Sequence, residues 1–235
     1  MDLSTAHVLV TGGSSGIGFA TARLLSERGA AVAICGRDAA RLKRAADELG
    51  ATGIVADVSH EDEVVRMVHT TIDKLGGYDT LVNNAGFGSW SRLTDIDAAD
   101  FRRVWETNVL GAMLVTRESA RHFIRHDRGN IVNIASTAAS KGFAGGTTYV
   151  ASKFALSGMT ECWRSELRPS NIRVMQINPS EVLTNFAAAA GYGRQKTNPT
   201  KLTADDIAQV IADMLEVPDR GFITETTVWA TNPKD

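Results

Sequence analysis

Short apolar runs rich in β-branched residues alternate along the chain with stretches of helical periodicity. Residues 7–10, 31–35 and 52–56 read as the first three strands, and 80–83, 130–134, 172–177 and 223–229 as four more. Several carry apolar side chains at nearly every position, the pattern of parallel strands covered on both faces. Between them, segments such as 18–28, 37–49 and 61–75 repeat apolar residues at helical spacing. Strand–helix alternation implies right-handed crossovers. The expected fold is therefore α/β: one domain over 1–235, with a doubly wound, seven-stranded parallel sheet flanked by helices on both faces. No repeat, low-complexity tract or interdomain linker is evident. Residues 185–199 stand apart, alanine-rich and then glycine-containing. They suit either a substrate lid that hinges over a site or a plain surface loop with a short helix.

Composition narrows the classes. The chain has 235 residues, 43% hydrophobic and 22% charged, which suits one globular domain. A formal charge of −2 argues against nucleic acid as the main partner. No apolar run approaches the ~20 residues of a membrane span, and residues 1–7 lack the basic and apolar regions of a secretory signal. A cytoplasmic location is expected, with Cys35 and Cys162 as free thiols.

The run Thr11-Gly12-Gly13-Ser14-Ser15-Gly16-Ile17-Gly18 lies between the first strand and the first helix. There Gly12 permits a tight turn, Gly16 lets the backbone approach a pyrophosphate, and Gly18 allows close helix packing. Unpaired amides at the helix N-terminus would face the anion. The second strand ends in Gly36-Arg37, where an NAD site would carry a carboxylate for the ribose hydroxyls. A guanidinium there pairs with a 2′-phosphate and stacks on adenine, so NADP(H) is expected over NAD(H). Ser14 or Ser15 could donate to the same phosphate. Asp57, with the Val58 amide alongside, is placed to accept from the adenine amino group or to cap the next helix; both readings stay open.

Tyr149 and Lys153 are separated by three residues, which puts both on one face of a helix, one turn apart. A fixed ammonium beside a phenol favours the phenolate and lowers its pKa. His122 and His126 are also one turn apart, but Arg121, Arg125 and Arg128 surround them and no third ligand cluster follows. A cationic helix face fits better than zinc, and no metal is expected. Ser136 lacks the glycine-flanked elbow of a serine hydrolase.

Together these residues resemble the short-chain dehydrogenase/reductase family over essentially the whole chain. The motifs occur in family order: Thr11-Gly12-x-x-x-Gly16-Ile17-Gly18, Asn83-Asn84-Ala85-Gly86, Asn108, Ser136, Tyr149-x-x-x-Lys153 and Asn178-Pro179. Ser136 stands thirteen positions before Tyr149, the family's common separation. The resemblance implies a Rossmann-type domain that interconverts a ketone or aldehyde with an alcohol by hydride transfer. Tyr149 would be the general acid in reduction and the base in oxidation. Ser136 would hold the substrate oxygen, and Lys153 would lower the pKa of Tyr149 and bind the nicotinamide ribose. Asn108 would hold a water linking Lys153 to solvent, although core hydrogen bonding explains an asparagine there equally well.

Further along, the resemblance gives Asn84, Ala85 and Gly86 a place beside the adenosine ribose, with the asparagines steadying the sheet. The segment 87–91 offers an apolar wall to the substrate pocket, with Trp90 either part of it or core packing. Pro179, Val182 and Thr184 would seat the nicotinamide; Ser180 departs from the usual glycine and restricts the backbone there. A 3-oxoacyl-[acyl-carrier-protein] reductase is the second reading, and a non-catalytic NADP-sensing protein the third. Family members assemble as dimers or tetramers through two long helices, here about 98–125 and 149–167, with Trp105 and Trp163 as candidate anchors.

Overall fold

A computed structural model of the chain describes residues 1–184, 198 and 200–232. The expected lid at 185–199 lies outside the described residues except for Asn198 and carries no further argument.

Seven strands form one parallel sheet: β1 (His7–Thr11), β2 (Ala31–Gly36), β3 (Thr52–Val55), β4 (Thr80–Asn83), β5 (Gly129–Ile134), β6 (Ile172–Pro179) and β9 (Glu225–Val228), in the order β3-β2-β1-β4-β5-β6-β9. Two further two-residue strands, β7 (Val182–Leu183) and β8 (Leu202–Thr203), pair separately. The chain is thus the doubly wound α/β domain that its periodicity predicts. The central strands are apolar on alternate and intervening positions because each face has its own core. Val8, Val10, Val82, Val132, Met175 and Ile177 pack on one face with Leu25, Leu42, Ile207 and Ile211. Leu9, Leu81, Ile131 and Val174 pack on the other with Met67, Leu114, Val115 and Phe123. The first face is covered by helices α1 (Gly16–Glu27), α2 (Ala39–Leu49) and α7 (Ala204–Glu216), the second by α3 (Glu61–Leu75), α5 (Ala112–Arg125) and α6 (Thr147–Leu167).

The edges depart from expectation. β3 alternates partly buried and exposed positions, since only one neighbour covers it. The last strand is shorter than 223–229, whereas β6 continues to Pro179, carrying the chain to the cavity rim. The long helix expected over 98–125 is also interrupted. α4 (Ala98–Trp105) gives way to a π-helical turn over Glu106–Gly111 before α5 begins. Within that wider turn Asn108 is buried and its side chain is committed to neighbours outside the helix; single π-turns of this kind recur at functional sites.

A polar chain crosses the buried sheet. Asn83 Nδ2 donates to Thr116 Oγ1 of α5 at 2.8 Å and to Asn133 Oδ1 at 3.0 Å; Asn133 Nδ2 donates to Thr160 Oγ1 of α6 at 2.8 Å. The asparagines thus tie both helices to the sheet centre. Asn133→Ala breaks the chain at its middle and leaves Asn83 with an unmade bond in the core. Urea unfolding should register a loss of about 1–3 kcal/mol.

Candidate active site

β1 and β4 are neighbours whose connections leave towards opposite ends of the sheet, and the crevice of such a switch point opens at the carboxyl ends of the strands. A cavity of about 340 Å³ occupies that place. Of the residues expected from the sequence to carry catalysis or hold the cofactor, all but Gly18 and Asn108 line it. Positions scattered from Gly12 to Thr184 therefore converge on one elongated cleft, with Arg37 and Asp57 in one part and Ser136, Tyr149 and Lys153 in another.

The glycine-rich turn is built for a close anion. Gly12 and Gly16 have φ of 64° and 56°, which disfavour any side chain. Ser15 caps α1 without a side-chain hydrogen bond, unlike Asp38 at α2 or Thr203 at α7, so the cap side chain leaves the first amides of α1 to another acceptor. A pyrophosphate fits that cradle. Asn84 braces the turn: its Nδ2 donates to Thr11 O at 2.9 Å and Gly12 O at 3.3 Å, while Thr11 Oγ1 accepts from the amides of Asn84 and Ala85 at 2.9 and 3.0 Å. Gly18 does not line the cavity and serves the close packing expected of it: a Cβ there would stand 2.4 Å from Asn84 Nδ2.

Of the two open readings of Asp57, the helix cap is not what is seen, while the carboxylate does line the cavity. The cap of α3 is His60, and Asp57 Oδ1 accepts from Ser59 N and Oγ at 3.0 and 2.7 Å. Its Oδ2 lies 3.5 Å from Arg37 Nη1. Burial works to raise its pKa, but the Ser59 bonds and the Arg37 charge prevail and hold it below the usual value. Arg37 is thus oriented over the cleft by a carboxylate. Arg41, one turn into α2, lines the same cavity. Sequence reasoning missed it: Arg37 precedes the helix, so the spacing of four between the two arginines does not place them on one helical face.

At the other end, α6 and the segment after β5 bring three side chains together. Ser136 Oγ accepts from Ala138 N at 3.1 Å, and the serine side chain lies beside Tyr149, where it favours the phenolate. Lys153 is 7% exposed, and its Nζ donates to Ile134 O at 2.8 Å. That bond fastens α6 to the end of β5, two residues before Ser136. Lys153 Nζ lies 5.7 Å from the Tyr149 ring centroid. The expected lowering of the phenol's pKa is not found in the chain alone: burial pushes Tyr149 up to about 12 against the lowering effect of Ser136, and burial pulls Lys153 down to about 8. Low surrounding polarity disfavours both charges, and the ammonium is directed to a backbone carbonyl rather than to the phenol.

Asn108 lies behind this site rather than in its wall, which Thr107 supplies instead. Its Oδ1 accepts from Phe87 N at 3.0 Å, and its Nδ2 donates to Phe87 O at 2.9 Å and Ser152 Oγ at 3.0 Å. The side chain therefore clamps the segment after β4 to α6, the core hydrogen-bonding alternative. Trp90 stands against Tyr149, ring centroids 5.7 Å apart. His122 and His126 stack with centroids 4.2 Å apart, and His126 Nδ1 bonds the His122 carbonyl oxygen at 2.8 Å, so the pair packs on itself. Cys35, beneath the glycine-rich turn, is a buried free thiol that burial pushes up to about 12.

A sheet with this switch point, a cradle for a dinucleotide pyrophosphate and a Ser–Tyr–Lys cluster define a nicotinamide-dependent oxidoreductase of the alcohol–carbonyl class. The chain belongs to the short chain dehydrogenase family, whose description matches residues 6–195. It is 36% identical over 211 residues to (+)-borneol dehydrogenase 2 of Salvia officinalis, covering 87% of this chain and 74% of that protein. It spans about half of an oxidoreductase of Bacillus subtilis, 35% identical over 187 residues and 76% of this chain. An alcohol dehydrogenase from Thermococcus sibiricus complexed with 5-hydroxy-NADP superposes with a TM-score of 0.87 at 26% identity, covering 97% of this chain and 98% of that one. A 3-ketoacyl-(acyl-carrier-protein) reductase from Brucella melitensis complexed with NADH gives 0.88 at 29%, covering 96% and 97%.

Proposed function

We propose that this chain reduces a ketone or aldehyde with NADPH, and runs the reverse oxidation with NADP, using Tyr149 as the acid/base group. The convergence of Ser136, Tyr149 and Lys153 on one cleft with the glycine-rich cradle carries the reading. A bound nicotinamide supplies or accepts the hydride at the carbonyl carbon. Tyr149 donates its phenolic proton to the carbonyl oxygen in reduction and takes one from the alcohol in oxidation. Ser136, oriented by the Ala138 amide, bonds the same oxygen. Lys153 holds α6 against β5 and provides a buried cation beside the phenol and the cleft. A panel of simple ketones and aldehydes, followed by NADPH absorbance, tests the reading; no consumption with any carbonyl would refute it.

The preference for NADP(H) rests on two guanidinium groups, Arg37 and Arg41, lining the cleft where the second strand ends. Charge-assisted hydrogen bonds to a 2′-phosphate contribute about 1.5–3 kcal/mol each. Arg37→Ala and Arg41→Ala are each expected to raise the Kd for NADPH roughly 10–100-fold and narrow its advantage over NADH. Fluorescence titration with both nucleotides reads the difference.

Reduction of a 3-oxoacyl thioester on a carrier protein ranks second, supported by the similarity to the Brucella enzyme. Of the cations on and just beyond α5 that would greet an acidic carrier, Arg117 pairs with Glu61 and Glu118, Arg121 pairs with Glu118, and Arg128 lies near Asp79. Comparing rates on an acyl carrier thioester and on simple ketones separates the two. A purely cofactor-sensing role has no such support, because the whole catalytic set is assembled. Dimer or tetramer assembly remains part of the proposal, favoured by the exposure of Trp105, Leu110, Ile124 and Phe154 along the two helical segments expected to assemble. Trp163, the other expected anchor, is partly buried against the core.

A further inference from the structure

Two aromatic side chains on the loops beside Tyr149 fold back onto glycines. A Cβ on Gly88 would lie 2.3 Å from Trp90 Cη2, and one on Gly146 would lie 2.6 Å from Phe143 Cε2. Each ring therefore occupies the space that any other residue at the facing glycine would fill. The two loops are joined, since Ser91 N donates to Gly145 O at 3.0 Å, and Gly146 N closes the turn onto Phe143 O at 3.1 Å. Gly146 caps α6, which puts Tyr149 in that helix's first turn. The indole of Trp90 is tilted by 38° to the Tyr149 ring. Phe143 remains 50% exposed. An apolar surface is thereby mounted at a set height against the acid/base group, on a segment also anchored by Asn108 through both polar groups of the Phe87 backbone.

We infer that Trp90 determines substrate specificity, forming one wall for a carbonyl carried on an apolar ring or aryl skeleton, with Phe143 at the rim. The inference rests on the carbonyl-reductase reading and narrows it. A flat apolar skeleton buries its surface against the indole while its carbonyl oxygen meets Ser136 and Tyr149. A polyol placed against the indole would trade the water around its hydroxyl groups for a ring that carries one N–H donor and no acceptor, which is unfavourable. Specificity differences built on apolar contacts of this size are modest, roughly 10–100-fold.

Steady-state kinetics with NADPH and three probes test this: acetophenone, glyceraldehyde and acetoacetyl-coenzyme A. The wild type should favour acetophenone in kcat/KM by about tenfold or more. Trp90→Ala should collapse that ratio, mainly through a KM for acetophenone raised about tenfold, with a smaller change in kcat. Gly88→Ala, which displaces the indole while keeping it, should move the ratio in the same direction. Thermal melting and NADPH titration establish that both variants are folded and bind nucleotide. Preference for glyceraldehyde or the thioester, or equal effects of Trp90→Ala on all three probes, would overturn the inference and leave the reductase reading standing. If no carbonyl in a broad panel consumes NADPH, the reductase reading itself falls, and this inference with it.

Discussion

Tyr149→Phe is expected to lose roughly 10²–10⁴-fold in kcat for carbonyl reduction while still binding NADPH, because only the transferable proton is removed. The ring stays, and with it the packing against Trp90. Single-turnover measurement of NADPH oxidation, with nucleotide affinity determined in parallel, distinguishes lost chemistry from lost binding. Turnover retained in the variant would remove Tyr149 from the mechanism. The position of its pKa, about 12 in the chain alone, also gives a direction to the pH dependence. Below that value the phenol is protonated, so reduction has its proton donor across the neutral range. Oxidation needs the phenolate, whose fraction grows about tenfold per pH unit below the pKa. Alcohol oxidation should therefore climb with pH through neutral and alkaline solution, and reduction should not. Oxidation that falls, or reduction that climbs, as pH rises would show that another group carries the proton.

Lys153→Met should be comparably damaging to turnover and should also leave a signature in stability. The ammonium is buried, and its value falls from 10.5 to about 8. Between those two pH values the unfolded chain binds more protons at this position than the folded one. Stability contributed by Lys153 consequently rises as pH increases from about 8 towards 10.5. Other buried groups oppose this at higher pH: Cys35 and Tyr149, both raised, favour unfolding as pH climbs above their ordinary values of 9.0 and 10.0. The difference between wild type and Lys153→Met isolates the lysine, because the other groups are common to both. Urea denaturation from pH 7.5 to 10.5 should show that difference shifting in favour of the wild type as pH rises. A flat difference would mean that the lysine titrates as an exposed one. Loss of the bond to Ile134 O also loosens α6 from β5, so Ser136 and Tyr149 should drift apart in the variant.

Much of the architecture was legible because parallel strands covered on both faces need apolar side chains at successive positions, as in Val8-Leu9-Val10 and Ile131-Val132. Boundaries were less legible. The strand at the β9 edge carries partly exposed positions, so its hydrophobic pattern does not mark where pairing stops. The π-turn at Glu106–Gly111 has no periodic signal, since it answers to Asn108 reaching across to Phe87 and Ser152. Arg41 was missed because distance along a helix says nothing of what the helix N-terminus overlooks.

What the sequence determined by itself was the set of chemical parts: glycines at the first turn, a cation in place of a carboxylate after the second strand, and serine, tyrosine and lysine at family spacing. Local chemistry and periodicity suffice for these, because they depend on residue type and separation along the chain. Only the tertiary structure decided how the parts act on one another. Packing turns Lys153 to a backbone carbonyl and leaves burial dominant at Tyr149. It assigns Asn108 to clamping the backbone of Phe87, and it presses Trp90 onto Gly88 beside the catalytic phenol. Those outcomes follow from low polarity and close contact between segments far apart in the chain, which no spacing along one strand or helix encodes.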